Sequence, residues 1–232
     1  DYINFVRLRP KLSDTIPGEE VNMECLFDIG TAKEDSAFNV VSTCCYGNTP
    51  DPVKINEIWT EKAKEMKESG LNAEEIEYAK KDWLLLEAKR IFKENSFDFR
   101  IETVGPFNNM SIVHKATNIM KAKLKKFLEE IQSNSSIINS SDTTIENSYD
   151  ITLENEDYTL GKVLEFILYE KHFNRVEGSI SDGKLSYCGF RKAHPHDNYS
   201  TIRLGFINKT SPSDVIVYFT ATINDALTLF KF

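Results

Sequence analysis

Two closely spaced histidines near the end of the chain are the residues best suited to metal chemistry. His194 and His196 are separated by one residue, so an extended backbone would turn both imidazoles to one side. A metal site needs at least a third ligand, and the neighbouring candidates are Asp197 and Cys188. From these residues alone, a metal site and a plain surface segment both remain open.

The other residue types that support catalysis form no recognisable motif. The glycines are scattered without a G-x-x-x-x-G-K-[ST] phosphate loop, and no G-x-S-x-G or D-x-D-x-D segment occurs. The cysteines show neither a C-x-x-C pair nor a histidine at zinc-finger spacing; they are Cys25, Cys44, Cys45 and Cys188. The sequence therefore predicts free thiols, a reducing compartment, no metal, no cofactor and no catalytic residues of the chain's own.

Composition excludes several classes of protein. Hydrophobic residues make up 41% of the 232 residues and aromatic residues 11%, which is typical of a folded globular chain. The net charge of −8 argues against a protein whose main task is to grip nucleic acid, so no direct sequence-specific nucleic-acid contact is expected. No apolar run approaches the roughly 20 residues that span a bilayer, so no membrane contact is expected either.

The first half of the chain alternates between strand-like and helix-like patterns. Strands are predicted where apolar and polar residues alternate, over residues 21–27, 38–46 and 97–103. Helices are predicted over residues 55–69 and 73–92, with a glycine between them. These elements make a small β-rich region, a helical pair and a further strand.

Three amphipathic helices are predicted in the rest of the chain. The first has an apolar stripe of Ile112, Ala116, Ile119, Leu124, Phe127 and Ile131. The second is capped by Thr159 and has a stripe of Leu160, Val163, Leu164, Ile167 and Leu168. The third is capped by Ser211 and has a stripe of Val215, Phe219, Ile223, Leu227 and Phe230. Strands over residues 148–153 and 201–207 and a polar linker over residues 132–141 lie between these helices.

The start of the second of these helices carries a recognisable motif. Residues 156–161, EDYTLG, resemble the E-D-H-T-L-G-N signature of the small α-like subunit of multisubunit RNA polymerases. That subunit is the eleventh of the eukaryotic nuclear enzyme and the L subunit of the archaeal one. Residues 187–191, YCGFR, and the following His194-Pro195 resemble the family's F-A-G-Y-K-V-P-H-P segment. The departures are Tyr158 for His, Lys162 for Asn, Ala193 for the first Pro and His196 for Leu.

The first half of the chain resembles the larger α-like subunit, the third of the eukaryotic enzyme and D of the archaeal one. Residues 17–20, PGEE, and 30–38, GTAKEDSAF, are similar to its L-R-P-G-Q-E and G-K-E-H-A-K-W-S-P stretches. Residues 78–83, YAKKDW, resemble its A-K-E-W segment. Residues 99–131 resemble the strand and helix that close its dimerisation domain.

Together these resemblances imply an α+β chain in which a D-like half and an L-like half pair as a pseudo-dimer. This arrangement is similar to the fused α-like subunits of asfarvirus-type large nucleocytoplasmic DNA viruses. The implied domains are the C-terminal part of a β-rich insert domain (1–53), a helical pair with the closing strand and helix of the D-like dimerisation domain (54–131), the linker (132–141) and an L-like dimerisation domain (142–232).

The implied function is that of a non-catalytic assembly platform in a DNA-directed RNA polymerase. The expected partners are the two large catalytic subunits and other small polymerase subunits, inside the cell or, for a viral protein, in the virion and the host cytoplasm. The resemblance explains His194 as part of a turn and implies no cofactor. The predicted dimerisation and assembly interface consists of Leu160, Gly161, Leu164, Ile167, Phe219, Ile223, Leu227, Ile112, Ile119 and Phe127.

Two alternatives stand beside this interpretation. One is a stand-alone protein-interaction module of the same fold that works without a polymerase, and the other is an enzyme with a metal site. The resemblance also implies a preceding strand and helix with an L-A-N-A-L-R-R-like motif, which nothing in residues 1–53 matches. We therefore expect these 232 residues, expressed alone, to expose apolar surface and to aggregate.

Overall fold

The structure is a computed structural model that describes residues 4–173 and 175–231. Contacts divide the chain into two units, Asp1–Pro106 and Phe107–Phe232. Each unit combines helices with antiparallel strands, which confirms the predicted α+β class. The two units therefore meet between residues 106 and 107, whereas the predicted boundaries on either side of the linker lie at 131/132 and 141/142.

A two-stranded antiparallel ribbon organises the first unit. Its strands are β1 (Val41–Pro50) and β2 (Phe92–Thr103), with Tyr46 opposite Phe99 and Cys45 opposite Arg100. Side chains that lie opposite each other share one face of a sheet. The ribbon therefore has an aromatic face and a polar face. The boundary predicted at 53/54 lies between these paired strands.

Two helices are inserted between the strands of the ribbon, as the sequence predicted. They are α1 (Pro52–Glu68) and α2 (Ala73–Leu85). Asn72 begins α2 with a capping box, in which its side chain accepts from the Glu75 N–H at 2.9 Å. The helices bury Trp59 against Trp83, with ring centroids 5.5 Å apart. This small cluster is the core of the helical pair.

Two predictions for the first unit are wrong. Residues 21–27, predicted as a strand, pair with no other described segment and leave Leu26 and Phe27 almost fully exposed. Alternation alone does not supply a hydrogen-bonding partner. The helix predicted over residues 73–92 ends at Leu85, because the chain passes through a 3₁₀ turn (Glu87–Arg90) into β2.

A four-stranded antiparallel sheet organises the second unit. Its strands are β3 (Ile138–Ser140), β4 (Ser148–Glu154), β5 (Leu185–Arg191) and β6 (Tyr199–Phe206), in the spatial order β3-β4-β6-β5. Alternate residues form an apolar inner face, whose fully buried side chains include Ile151, Leu153, Ile202 and Leu204.

Three helices share one hydrophobic core with the inner face of this sheet. They are α3 (Asn109–Ser133), α4 (Tyr158–Leu168) and α5 (Pro212–Leu229). The predicted apolar stripes of α4 and α5 are confirmed, because both supply fully buried residues to the core. Ser211 caps α5 as predicted, and Pro212 and Asp214 occupy its first turn.

The predicted stripe of α3 is correct only in its second half. Ile119 is 57% exposed and Ala116 is exposed, whereas Met120 is buried. The buried face consists of Met120, Leu124, Phe127 and Ile131. These residues follow the spacing of four, three and four that one helix face requires, and Ile119 lies off that face.

The segment predicted as a flexible linker, residues 132–141, is a structured part of the second unit. α3 continues to Ser133, and β3 then pairs with β4, with Ile138 opposite Ile151. Ile137 and Ile138 are buried in the core. The prediction failed because it averaged two isoleucines into a stretch of serine and asparagine, and burial depends on the individual side chains.

Candidate assembly interface

The EDYTLG and YCGFR segments meet at Gly161. A Cβ atom on this residue of α4 would lie 2.0 Å from the ring of Phe190 on β5, so the ring rests directly on the helix backbone. Tyr158 packs against the same ring in an edge-to-face arrangement, with centroids 5.2 Å apart. Any side chain at position 161 would displace Phe190, and only glycine fits the contact as it stands.

Polar contacts from Glu165 complete the junction between α4 and β5. The Glu165 Oε1 accepts a hydrogen bond from the Phe190 N–H at 2.9 Å. The Cys188 thiol lies 3.7 Å from the Glu165 carbonyl oxygen, and Lys162 pairs with the Glu165 carboxylate at 2.5 Å. The Glu165 side chain of α4 therefore accepts a hydrogen bond from the backbone of strand β5.

The first residues of the signature join α4 to the other elements of the unit. The Glu156 carboxylate pairs with Lys123 of α3 at 2.7 Å, and its carbonyl accepts from the Ser200 hydroxyl of β6 at 2.9 Å. Asp157, and not Thr159 as predicted, caps α4 by accepting from the Thr159 N–H. An aspartate that precedes the first turn competes well with a threonine inside it.

Most of the predicted interface residues lie together in the interior of this unit. Phe127 of α3 meets Phe219 of α5, with ring centroids 6.1 Å apart and planes at 77°. The other buried members are Leu160, Gly161, Leu164, Ile167 and Ile223. Leu227 is half-buried at the margin of the core. Ile112 is half-buried and Ile119 is exposed, so the structure does not bring these two into the group.

The outer face of the sheet is a polar surface that the sequence analysis did not single out. Arg203 of β6 donates to both carboxylate oxygens of Asp150 on β4, at 2.6 and 2.7 Å. These hydrogen bonds hold the pKa of Asp150 below its usual value, against the opposing effect of its burial. Tyr187, Tyr199 and Arg191 line the same cleft of about 210 Å³. The alternation of side chains along the strands could have indicated this polar surface, because every second residue of a strand faces away from the core.

The histidine pair considered for a metal site is bound into a local turn. The His194 N–H donates to Asp197 at 3.0 Å, and the His196 N–H donates to the Nδ1 atom of His194 at 3.1 Å. Both side chains are exposed, whereas Cys188 lies against α4. Within residues 4–173 and 175–231, no three His, Cys, Asp or Glu side chains are grouped as a metal ion would require.

The chain matches no protein-family model and no curated protein sequence. Among the residues that the structure describes, no helix combines the length and the apolar character needed to cross a bilayer.

We predict that Gly161→Ala destabilises the second unit by roughly 1–3 kcal/mol, because the new methyl group overlaps Phe190 and the packed ring must shift. The measurement is urea unfolding followed by circular dichroism. The matched experiment introduces the same substitution into a Phe190→Ala background. There the clash is gone, and alanine should be neutral or stabilising because it favours a helix by about 1 kcal/mol over glycine. Equal destabilisation in both backgrounds would contradict the assigned contact.

We also predict that Cys188 resists alkylation while the other cysteines react. Burial, aided by the negative charge of Glu165, raises the pKa of the Cys188 thiol to about 12. Cys25, Cys44 and Cys45 are exposed. Iodoacetamide at pH 8, with peptide mass spectrometry, should modify these three first and Cys188 only after urea is added. Alkylation of native Cys188 at the rate of the others would show that the thiol is accessible and that its burial is misassigned.

Proposed function

We propose that this chain is a non-catalytic assembly-platform subunit of a multisubunit DNA-directed RNA polymerase, in which a D-like part pairs with an L-like part. The observation that carries the proposal is the shared core of the second unit. There α3, from the segment that resembles the larger α-like subunit, packs against α5 and α4, from the segment that resembles the smaller one. The contact of Phe127 with Phe219 lies within it.

The convergence of the two motifs supports the same proposal. The EDYTLG and YCGFR segments are separated by more than twenty residues in the chain, yet Gly161 and Phe190 are in direct contact. Sequence resemblance at two separate places gains weight when the matching residues form one structural unit. The motifs therefore support an L-like fold for the second unit, and the pseudo-dimer is the arrangement that we infer from the packing of α3.

The chemistry of the packed residues fits a permanent pairing. Obligate interfaces are rich in apolar and aromatic side chains, like a domain core cut in two. The contact between α3 and the other helices has this character, because Leu124, Phe127 and Ile131 are buried together with Phe219 and Ile223. The partly exposed Lys123–Glu156 ion pair also joins α3 to the residues that precede α4.

In the proposed assembly the partners are the two large catalytic subunits and other small polymerase subunits. The chain itself contributes no catalytic residue and no cofactor, and it makes no sequence-specific contact with nucleic acid. Its place of action is intracellular or, for a viral protein, the virion and the host cytoplasm. The physical task is to hold a preformed pair of folds on which the large subunits assemble.

The test is to express the tagged chain in its native cells and to identify the chains that copurify with it at moderate salt. Recovery of both large polymerase subunits in stoichiometric amounts is the expected result. A parallel purification of the Leu164→Asp variant should lose them, because that substitution places a carboxylate in the shared core. Recovery of other partners without any polymerase subunit would favour a stand-alone interaction module and would overturn the proposal.

A further inference from the structure

The aromatic face of the β1–β2 ribbon is exposed over its centre. Tyr46 is 68% exposed, Phe99 is 70% exposed and Phe97 is 51% exposed. The Tyr46 ring lies 5.8 Å from each of the two phenylalanine rings. A two-stranded ribbon is at best marginally stable in water, and a third strand or a packed layer is what normally completes it. This face therefore has the composition of an interior surface.

The outer edge of β1 is available for a further strand. Within the described part of the first unit, β1 pairs with β2 alone, so the backbone groups along its other side have no partner strand. An unpaired edge of this kind is a template for strand addition. A strand that pairs there would also extend the aromatic face, provided that its apolar side chains point the same way.

A segment of the same unit has the pattern that such a strand needs. Between residues 21 and 29 every second residue is apolar or cysteine, in the order Val21, Met23, Cys25, Phe27 and Ile29. All five are exposed. The Cys25 Sγ lies 3.5 Å from the Met23 Sδ, so these alternate side chains already lie on one side of the segment. Val6, Leu8 and Leu12 also alternate with polar residues, but Pro10 interrupts that run and has no backbone N–H to donate to a neighbouring strand.

The connection from this segment to β1 is already folded back on itself. A Cβ atom on Gly30 would lie 2.5 Å from the Phe38 ring, so the two ends of the connection are in contact. The Asp35 and Glu34 N–H groups donate to the Thr31 carbonyl at 3.1 and 2.9 Å, which closes a turn between those ends. Part of the entropy of closing this loop is therefore already lost, and a chain reversal at this place allows residues 21–29 to run antiparallel to β1.

We propose that residues 21–29, which pair with no described strand in the structure, adopt a second conformation in which they add to the free edge of β1 as an antiparallel third strand, with Cys25 opposite Cys44 and Met23 opposite Tyr46. The faces exclude a register shifted by one residue, and the contact of Gly30 with Phe38 keeps Ile29 beside the residues that precede β1. Cys44 and Tyr46 share the aromatic face, while Cys45 lies on the polar face, opposite Arg100. A shift of one residue would turn every apolar side chain of the segment to the polar face. The proposal concerns the first unit by itself and stands independently of the polymerase assignment.

Native cysteines provide the test. Two variants of the full chain each keep a single pair of thiols: Cys45→Ser with Cys188→Ser leaves Cys25 and Cys44, and Cys44→Ser with Cys188→Ser leaves Cys25 and Cys45. Diamide is the oxidant, because its azo bond takes two electrons and two protons from two thiols and becomes a hydrazine. Opposed Cβ atoms in an antiparallel pair are about 4.5–5.5 Å apart, close to the spacing of a disulfide. Disulfide formation is followed by peptide mass spectrometry without reduction.

The expected result is that the Cys25–Cys44 disulfide forms roughly tenfold faster than the Cys25–Cys45 disulfide, and that urea abolishes the difference. A matched pair of variants sharpens the test. Phe27→Ser should slow the Cys25–Cys44 reaction because it removes an apolar contact from the aromatic face, whereas Leu26→Ser, on the opposite face of the segment, should not. Equal rates for the two cysteine pairs, or faster formation of the Cys25–Cys45 disulfide, would overturn the proposal.

Discussion

The Leu164→Asp variant should fail to fold its second unit. Leu164 is fully buried in the core that α3, α4, α5 and the sheet share. Burying an unpaired carboxylate and losing the leucine side chain costs on the order of several kcal/mol. Because a domain is stabilised by only about 5–15 kcal/mol in total, this loss removes much or all of the stability. Urea unfolding followed by circular dichroism measures it.

A control variant on the same helix distinguishes the effect of burying a carboxylate from the effect of adding a charge to the helix. Phe166 also lies on α4, and it is 63% exposed. The Phe166→Asp variant adds the same carboxylate two residues away, and we expect the free energy of unfolding to change by no more than about 0.5 kcal/mol. If both variants unfold at the same urea concentration as the unmodified chain, the assignment of Leu164 to the core is wrong.

The Phe219→Ala variant should lose about 3–5 kcal/mol of stability, because it leaves a cavity where a fully buried ring packed. The ring of Phe127 on α3 is its edge-to-face partner, so Phe127→Ala should have a comparable effect. The double variant should lose less than the sum of the two single losses, because each single change already removes the contact between the rings. Thermal and urea unfolding of the four proteins gives the coupling energy.

Ile119→Ala is the matched control for the second prediction. Ile119 lies on the same helix as Phe127, and most of its side chain is in solvent. Its truncation should change the free energy of unfolding by no more than about 0.5 kcal/mol. Strict additivity of the Phe127 and Phe219 variants would show that α3 and α5 do not pack against each other, and it would remove the main support for the proposed pairing.

The sequence predicted correctly those helices whose apolar stripe and cap can be recognised from the residues of the helix itself. The stripe of α5 runs through Val215, Phe219 and Ile223 at steps of four, and its cap at Ser211 was recognised from the residue types. In α3 the correct stripe was also available, because Met120 keeps the spacing to Leu124 that Ile119 breaks. Both residues are apolar, so only their spacing to Leu124 and Phe127 distinguishes the buried one from the exposed one.

Other features depend on contacts that no local pattern contains. Gly161 was assigned to an interface, but its direct contact with Phe190 joins two elements that only the fold brings together. The burial of Ile137 and Ile138 likewise depends on β4 and the core lying beside them. Conversely, residues 21–27 have a strand pattern without a partner strand in the structure. Local periodicity thus indicates what a segment is able to form, and tertiary partners determine what it does form.

The contact of Glu165 with β5 also bears on solubility at high concentration. The exposed edge of a sheet invites the corresponding edge of another molecule, and continued pairing of this kind leads to fibrous aggregates. On β5 the Phe190 N–H already donates to the Glu165 carboxylate, and the Lys162–Glu165 ion pair lies beside the edge. At the opposite edge β3 has only three residues. The sheet of the second unit is thereby protected at both ends against growth by addition of identical molecules.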